Sequence, residues 1–349
     1  MKGAELLVMG AGSVGCYVGG SLQAAGVAVH FVGRPRVLGA LRVQGMSLTD
    51  LHGRHARLPP TALVMSESVP ALAPALVLLC VKSGATHEAA AALAKALPAG
   101  TPVLSLQNGI GNAAAAQDAA PALDVIAGMV SFNVAELAPG CFHRGSSGAL
   151  AAAAHPALPA WQPRFAGAGL PLALRDDMRG VQWAKLLLNL NNPVNALSAL
   201  PLREQLLSPG YRKVLAALQS EALAVLRAAR IAPARLTPLP AAWLPAVLRL
   251  PTPLFRLLAS RMLRIDAQAR SSMSEDLARG RPTEVNSLCG EVVRMARGLG
   301  LDAPVNARMA RLVQEQGLKP QHYDAARLQS LLGIAGRPIK VGTHATPDA

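Results

Sequence analysis

The chain has 349 residues, more than one typical hydrophobic core organises, and this length predicts two domains. Hydrophobic residues make up 51% of it and charged residues only 15%, so large cores can be buried. A formal net charge of +14 would suit nucleic acid, but the basic residues are dispersed and only 3% of residues are aromatic. We therefore expect small anionic ligands and no nucleic-acid partner.

The first thirty-odd residues predict a strand, a glycine-rich turn, a helix and a parallel strand. The apolar run Leu6 to Met9 leads into Gly10-Ala11-Gly12-Ser13-Val14-Gly15, which fits G-x-G-x-x-G. A helix is expected over residues 13–25 and a second strand over residues 27–32. This order is the βαβ unit of a dinucleotide-binding fold.

Each glycine of the motif has an expected role. Gly10 permits the tight turn, Gly12 lets the backbone approach a pyrophosphate, and Gly15 lets helix and strand pack closely. The helix N-terminus offers free N–H groups to the phosphates. The simpler alternative is a glycine-rich turn that binds no ligand.

The end of the second predicted strand indicates which nicotinamide cofactor is bound. NAD is usually held by an Asp or Glu at this point, but the sequence reads Gly33-Arg34-Pro35-Arg36 and contains no carboxylate. A guanidinium can grip a 2′-phosphate with two hydrogen bonds. We therefore predict NADP(H), with Arg34 as the contact; the alternative is an ordinary solvated arginine.

Further strand–helix units follow in the first half of the chain. Strands are expected over residues 64–66, 75–81, 101–106 and 125–131, with an alanine-rich helix over residues 87–97. Lys82 follows one of these strands, and Gln107 and Asn108 follow the next, at the carboxyl edge where α/β sheets bind ligands. Residues 142–174 predict additional, partly antiparallel strands that complete the domain.

The second half of the chain is predicted to be helical. The expected fold is therefore α/β: a Rossmann-type doubly wound domain over residues 1–175, an all-α domain over residues 176–330, and a disordered tail over residues 331–349. The expected helices cover residues 178–193, 211–229, 254–263, 266–279, the segment from Pro282 to Gly300, and 305–316.

Localisation follows from the cysteines and from the distribution of apolar residues. The four cysteines lie far apart without a C-x-x-C pair, which predicts reduced thiols in a cytoplasmic protein. The apolar run at residues 6–9 is too short for a signal peptide, and prolines and arginines interrupt residues 236–263, so no membrane span is expected. The histidines show no ligand spacing, and no metal site is predicted.

Polar residues on one apolar helix are candidates for the chemistry. Lys185, Asn189 and Asn192 are spaced four and three apart, which places them on one helical face among leucines. A second cluster combines Ser272 and its neighbouring serines with Glu284, whose carboxylate could pair with the lysine. The plainer alternatives are a lysine that reaches solvent, asparagines that cap helix ends, and an acid that only compensates a helix dipole.

Taken together and in this order, the motifs resemble those of the ketopantoate (2-dehydropantoate) reductase family. The matching pieces are the glycine motif, an Arg after the second strand, Val81-Lys82, Gln107-Asn108-Gly109, the Lys185-x-x-x-Asn189 helix, and Ser272 twelve residues before Glu284. The resemblance implies NADPH-dependent reduction of ketopantoate to (R)-pantoate, a step toward pantothenate and coenzyme A.

The resemblance also implies roles for individual residues. Lys185 would be the general acid, and Glu284 would position it, bind the substrate hydroxyl and contact the cofactor. Asn108 would lie between nicotinamide and substrate. The other substrate-binding residues would be Asn189, Asn192 and Ser272, and the other cofactor-binding residues would be Gly10, Ala11, Gly12, Ser13, Val14, Gly15, Arg34, Lys82 and Gln107.

Two features depart from the family pattern. An asparagine found eight residues after the lysine in some members falls here on Pro193, and Asn192 is the neighbouring amide that could replace it. Residues 237–264 look like extra helical material that could reshape the substrate pocket. Two alternatives stay open: a reductase of another branched 2-oxo acid, and a non-catalytic NADP-binding sensor. The sequence is compatible with a monomer or a homodimer.

Overall fold

The computed structural model of the protein describes residues 5–260, 263, 269–316 and 321–334. The chain divides into two compact units, Met1–Met178 and Arg179–Ala349. The division falls in the first turn of a helix that begins at Met178.

The described part of the first unit contains twelve strands and five α-helices. In chain order these are β1 (Leu6–Met9), α1 (Ser13–Ala24), β2 (Val29–Val32), α2 (Pro35–Gln44), β3 (Met46–Asp50), β4 (His55–Leu58), β5 (Val64–Ser66), β6 (Leu76–Leu79), α3 (Thr86–Ala96), β7 (Pro102–Ser105), α4 (Asn112–Ala119), β8 (Asp124–Val130), β9 (Val134–Ala138), β10 (Cys141–Arg144), β11 (Leu150–Ala153), α5 (Gln162–Gly167) and β12 (Leu172–Arg175).

An eight-stranded sheet with the order β12-β11-β8-β7-β6-β1-β2-β5 forms the centre of this unit. The six neighbouring strands β5, β2, β1, β6, β7 and β8 run parallel. Strand β11 pairs antiparallel with β8, and β12 pairs parallel with β11 at the edge of the sheet. Numbered among themselves, the six parallel strands have the order 3-2-1-4-5-6 of the doubly wound dinucleotide-binding fold. The predicted fold of this unit is therefore confirmed.

Successive residues of the central strands enter different cores. Leu6 and Val8 pack with α1 on one face, whereas Leu7 packs on the other with Leu93 of α3 and Ala116 of α4. The continuous apolar runs in the sequence arise because both faces of these parallel strands are covered.

The structure also contains a smaller sheet with the order β4-β3-β10-β9, which the sequence pattern did not predict. The strands expected within residues 142–174 are present as β10, β11 and β12, but helix α5 lies between the last two. The helices α2 and α4 were also missed. Both are short, and α4 is largely alanine and carries almost no amphipathic signal.

Every regular element in the described part of the second unit is a helix, as predicted. These are α6 (Met178–Asn189), α7 (Asn191–Ser198), α8 (Leu202–Leu207), α9 (Pro209–Ala228), α10 (Leu244–Leu248), α11 (Thr252–Leu258), α12 (Ser272–Ala278), α13 (Val285–Gly298), α14 (Pro304–Gln316) and α15 (Ala325–Leu332). Helix α9 is central and packs against α7, α8, α10, α13, α14 and α15.

Three helix predictions in this unit were wrong at their ends, and the one expected over residues 254–263 covers only Thr252–Leu258. The helix expected over residues 178–193 is divided at Leu190, because Pro193 has no N–H to donate to the carbonyl of Asn189. The helix expected from residue 266 begins at Ser272, since Ser271 is the N-cap and its hydroxyl accepts a bond from the Ser274 amide at 3.2 Å. Residues 264–268 lie outside the described part of the chain.

Glu221 connects the central helix to α14 from inside the core. Its carboxylate accepts bonds from the amides of Val305 and Asn306 at 2.9 and 2.8 Å, and from the Asn306 side chain at 2.8 Å. These are first-turn amides of α14, which lack acceptors within their own helix. Burial nevertheless raises the pKa of Glu221.

The remaining global predictions concern thiols, membranes and the tail. All four cysteines are free. None of the helices in the described ranges combines the length and apolarity needed to cross a bilayer. Helix α15 extends to Leu332, just inside the segment predicted as a tail, and residues 335–349 of that segment lie outside the described residues.

Candidate functional site

The glycine motif forms a tight turn between β1 and α1. Gly10 has φ +108°, and a Cβ on it would lie 2.7 Å from the amide nitrogen of Val81. A Cβ on Gly15 would collide with the Gly10 carbonyl oxygen. Both positions therefore require glycine, one for backbone conformation and the other for close packing.

Gly12 differs from the other two glycines because it faces open space. A Cβ built on it would meet no heavy atom within 4 Å among the described residues. The N–H groups of Ser13, Val14 and Gly15 open helix α1 and have no intrahelical acceptor. An exposed glycine beside free amides and a positive helix end is the arrangement that accepts a pyrophosphate, so the residues present fit a dinucleotide.

The end of β2 lies directly against this turn. The Val32 carbonyl accepts hydrogen bonds from the amides of Gly10 and Ala11, each at 2.9 Å. Arg34 follows as the N-cap residue of α2 and is exposed. Its guanidinium forms no ion pair within the described ranges, whereas Arg36 pairs with Glu136 at 3.7 Å. Of the two arginines, Arg34 is the one free to meet an anion.

A polar network connects the next two strand ends. The Gln107 amide group donates to the Val81 carbonyl at 3.0 Å and to the Thr86 hydroxyl at 2.6 Å, and its oxygen accepts from Ser105 at 3.0 Å. Gln107 is buried, and its side chain holds the sheet edge together.

The backbone of Asn108 is fixed in the same network. Its carbonyl accepts from the Ser83 hydroxyl at 3.1 Å and from the Asn112 amide at 2.7 Å. Lys82 is exposed and immediately precedes Ser83. The structure therefore brings the glycine turn, Lys82 and Asn108 to one carboxyl edge of the sheet.

In the second unit, Lys185 lies on α6 and is partly buried. Burial lowers the pKa of its ammonium to about 8. Within the described residues the ammonium has no hydrogen-bond or ion-pair partner, so the predicted pairing with Glu284 does not form. A carboxylate partner would raise this pKa again, and its absence leaves an ammonium that can release its proton near neutral pH.

The neighbouring asparagines are divided between two helices. Asn189 ends α6 one turn after Lys185, and Asn192 lies in the first turn of α7, so the three residues do not share one straight helix. That Asn192 shares a face with Lys185 and Asn189 stays a prediction. The Pro193 position is buried in α7.

Helix α12 is attached to α7 by buried hydrogen bonds. The Ser271 hydroxyl donates to the Asn192 carbonyl at 3.3 Å, and the Ser271 amide donates to the Asn195 side-chain oxygen at 2.9 Å. The Asn195 amide group in turn donates to the Leu200 carbonyl at 2.8 Å. These bonds hold the serine cluster against α7, as expected if the serines and the asparagines bind the same substrate.

Asn195 was not predicted as a site residue, and Ser271 was predicted only as a neighbour of Ser272 in the serine cluster. The available signals were a fourth asparagine in residues 189–195, three residues after Asn192, and a serine at a helix start. Ser272 is exposed next to its buried neighbour Ser271, and Glu284 is partly buried as the N-cap residue of α13. Glu284 therefore lies directly before the first turn of α13, although the predicted helix began at Pro282.

Removing the Asn195 side chain tests this connection. We expect Asn195→Ala to lower the free energy of unfolding by about 1–3 kcal/mol, because the buried Ser271 amide and the Leu200 carbonyl each lose a partner. Urea denaturation measures the change. Asn286→Ala is the control, since Asn286 is exposed; an equal loss in both variants would contradict the interpretation.

Among the described residues, no three His, Cys, Asp or Glu side chains cluster as potential metal ligands.

Comparison with known families agrees with this geometry. The sequence profile described as "Ketopantoate reductase PanE/ApbA" matches residues 6–156, and that of its C-terminal region matches residues 177–317. The chain belongs to the ketopantoate reductase family. The resemblance stated from the motifs is confirmed, and family membership places the chain among nicotinamide-dependent oxidoreductases.

Relatives within the family cover nearly the whole chain. The 2-dehydropantoate 2-reductase of Halobacterium salinarum is 30% identical over 324 residues, which are 89% of this chain and 98% of that protein. The crystal structure of a PanE/ApbA family ketopantoate reductase from Ralstonia eutropha is 31% identical, with a TM-score of 0.76 over 91% of this chain and 99% of that one. D-mandelate dehydrogenase shares the fold, with a TM-score of 0.72 at 18% identity.

Proposed function

We propose that the protein reduces 2-dehydropantoate (ketopantoate) to (R)-pantoate with NADPH, in pantothenate and coenzyme A biosynthesis, and that Lys185 is the general acid. The observation that carries the proposal is a partly buried lysine without a partner in the described residues, whose pKa is lowered to about 8. The relatives named 2-dehydropantoate 2-reductase support the substrate.

The cofactor would be held at the sheet edge of the first unit. The turn from Gly10 to Gly15 would bind the pyrophosphate, and Arg34 would bind the 2′-phosphate. Lys82 and Asn108 would line the nicotinamide end, with Gln107 fixing the backbone beneath them. When bound, NADPH supplies the hydride.

Lys185 would supply the proton. A 2-oxo acid needs a hydride at its carbonyl carbon and a proton at the carbonyl oxygen to become a 2-hydroxy acid. The Lys185 ammonium would stabilise negative charge on that oxygen and donate the proton to it. With a pKa of about 8, the resulting amine would regain a proton from solvent at neutral pH.

The polar residues around the lysine would bind the substrate. Asn189 and Asn192 would donate hydrogen bonds to its oxygens, and Ser272 would contact its carboxylate. Glu284 would bind the substrate hydroxyl, align Lys185 when substrate is present and contact the cofactor. If Glu284 pairs with Lys185 only when substrate is bound, the pKa of Lys185 stays low in the free protein.

Reversing the charge at Arg34 tests the cofactor assignment. We expect Arg34→Glu to raise the KM for NADPH at least about 100-fold, because a bidentate arginine–phosphate contact is replaced by repulsion, and to change the KM for NADH little. Steady-state kinetics with both cofactors measure this. Arg36→Glu is the matched control; equal effects on NADPH and NADH would contradict a 2′-phosphate role.

The reaction itself is tested by oxidation of NADPH in the presence of a panel of 2-oxo acids. Rapid turnover of ketopantoate with NADPH, and slow turnover with NADH, is the expected result. Turnover of a different branched 2-oxo acid would support the proposed mechanism and contradict the proposed substrate. Binding of NADPH without turnover of any member of the panel would favour an NADP-binding sensor.

Cytoplasmic location and a homodimer complete the proposal. The free cysteines support a reducing compartment. The Staphylococcus aureus ketopantoate reductase, which shares the fold at 16% identity, is described as dimeric. Sedimentation of the purified protein tests the homodimer, which a monomer at all concentrations would overturn.

A further inference from the structure

A groove of about 520 Å³ lies between α13 and α14, on residues to which the proposed reaction gives no role. The two helices are joined by a short turn and pack side by side. The groove volume is within the roughly 300–1,000 Å³ of small-molecule sites. Its lining is Asn286, Gly290, Val293, Arg294, Arg297, Ala307, Ala310, Arg311 and Gln314.

Three guanidinium groups line this α13–α14 groove. Arg294 forms an ion pair with Glu291, whose side chain is largely buried. Arg297 and Arg311 form no ion pair with any described residue, although Glu315 follows Arg311 by one helical turn. The groove is therefore lined by two arginines whose positive charges no described carboxylate pairs.

The other lining residues indicate which chemical groups a ligand would carry besides its anionic part. Val293, Ala307 and Ala310 form an apolar floor, and Gly290 lines it without a side chain. The two side-chain amides close one end, where Gln314 donates to the Asn286 oxygen at 2.8 Å. This bond leaves an Asn286 donor and a Gln314 acceptor for a ligand.

We propose that the α13–α14 groove binds a phosphate-bearing organic anion of nucleotide size. Arg297 and Arg311 bind the phosphates, the apolar floor covers the organic part, and the Asn286 and Gln314 amides recognise its polar edge. Guanidinium forks suit phosphate oxygens because they donate two parallel hydrogen bonds. This site is built by residues of the second unit alone and does not depend on the proposed reaction.

Methyl NMR of the full-length protein tests the proposal locally. Inorganic pyrophosphate and ADP are titrated while the Val293, Ala307 and Ala310 methyl signals are followed. We expect saturable shifts with both probes and tighter binding of ADP. The double variant Arg297→Gln/Arg311→Gln should raise both dissociation constants about 100-fold, roughly tenfold for each charged hydrogen-bond donor removed.

Arg227→Gln is the matched control, because Arg227, like Arg297, is exposed in the last turn of its helix. This control should bind both probes as the unmodified protein does, and thermal unfolding checks that each variant is folded. Unchanged affinity in the folded double variant would overturn the site. Equal binding of ADP and citrate would overturn the phosphate class, and shifts confined to the glycine turn would assign the anion to the cofactor site.

Discussion

Replacing Lys185 by methionine should lower kcat by roughly 10²–10⁴-fold, the usual contribution of a positioned general acid. The same change should raise the free energy of unfolding by roughly 1–3 kcal/mol. Burial lowers the pKa of Lys185 from 10.5 to about 8, and each pKa unit corresponds to about 1.4 kcal/mol. Methionine has a similar length and no charge to desolvate.

The pH dependence has a defined sign. Because the folded-state pKa lies below the unfolded value, the charged lysine costs stability below about pH 8, and this cost disappears as the pH rises toward 10.5. A general acid must be protonated, so kcat/KM for reduction should fall as the pH rises through about 8. The Lys185→Met variant should lose this part of the profile.

Lys213→Met is the control for both measurements, since Lys213 is an exposed lysine of α9. It should change neither the rate nor the stability. Normal turnover by Lys185→Met would contradict the general-acid assignment. If turnover and stability were both lost, Lys185 would instead have a structural role.

The parts of the fold that were predictable from sequence have strong local signals. The glycine motif was recognisable because Gly10 and Gly15 occupy positions that no other residue tolerates, one through its φ and one through packing. The central strands were recognisable because burial on both faces demands continuous apolar runs. Short elements such as α4 and β9 lack such a signal, since α4 is largely alanine and β9 is only partly buried.

The candidate site was predictable in its residue types and not in its connections. Lys185, Asn189 and Glu284 could be named from spacing and resemblance, but the missing pair between Lys185 and Glu284 depends on tertiary structure. The bonds from Ser271 to Asn192 and Asn195 join segments almost eighty residues apart, and no local pattern encodes them. Pro193 signalled a helix break, but its placement inside the next helix required the structure.

Residues 237–264 stood out from the sequence as additional material, and the structure shows what holds their described part in place. Arg212 on α9 is fully buried, and its guanidinium group lies 4.4 Å from the ring centroid of Phe255 on α11. It donates to the carbonyls of Leu206, Leu207, Leu248 and Leu250 at 2.9–3.2 Å, and to the Thr252 hydroxyl at 3.3 Å.

Several of these carbonyls belong to the last turns of α8 and α10, where they have no intrahelical donor and where the helix dipoles favour a cation. None of the acceptors is a carboxylate, and burial lowers the pKa of Arg212. One guanidinium group therefore supplies the hydrogen bonds that water would otherwise make to the carbonyls at two helix ends. Its contribution to stability comes from these hydrogen bonds and not from an ion pair.

We expect Arg212→Leu to lower the free energy of unfolding by about 3 kcal/mol or more, because several buried carbonyls lose their donors at once. Arg212→Lys should recover only a small part, since an ammonium cannot span acceptors that the planar fork reaches together. Urea denaturation measures the global change, and hydrogen exchange over residues 241–258 should show that this segment opens first.

Arg249→Leu provides the matched comparison in the same segment. Arg249 also donates to main-chain carbonyls, those of Pro245 and Ala216, but its side chain is exposed. Water can replace those bonds, so its loss should cost less than about 1 kcal/mol. Equal destabilisation by the two variants would show that burial of the guanidinium is irrelevant. A stable Arg212→Leu protein would mean that the α10–α11 segment is held by apolar packing alone.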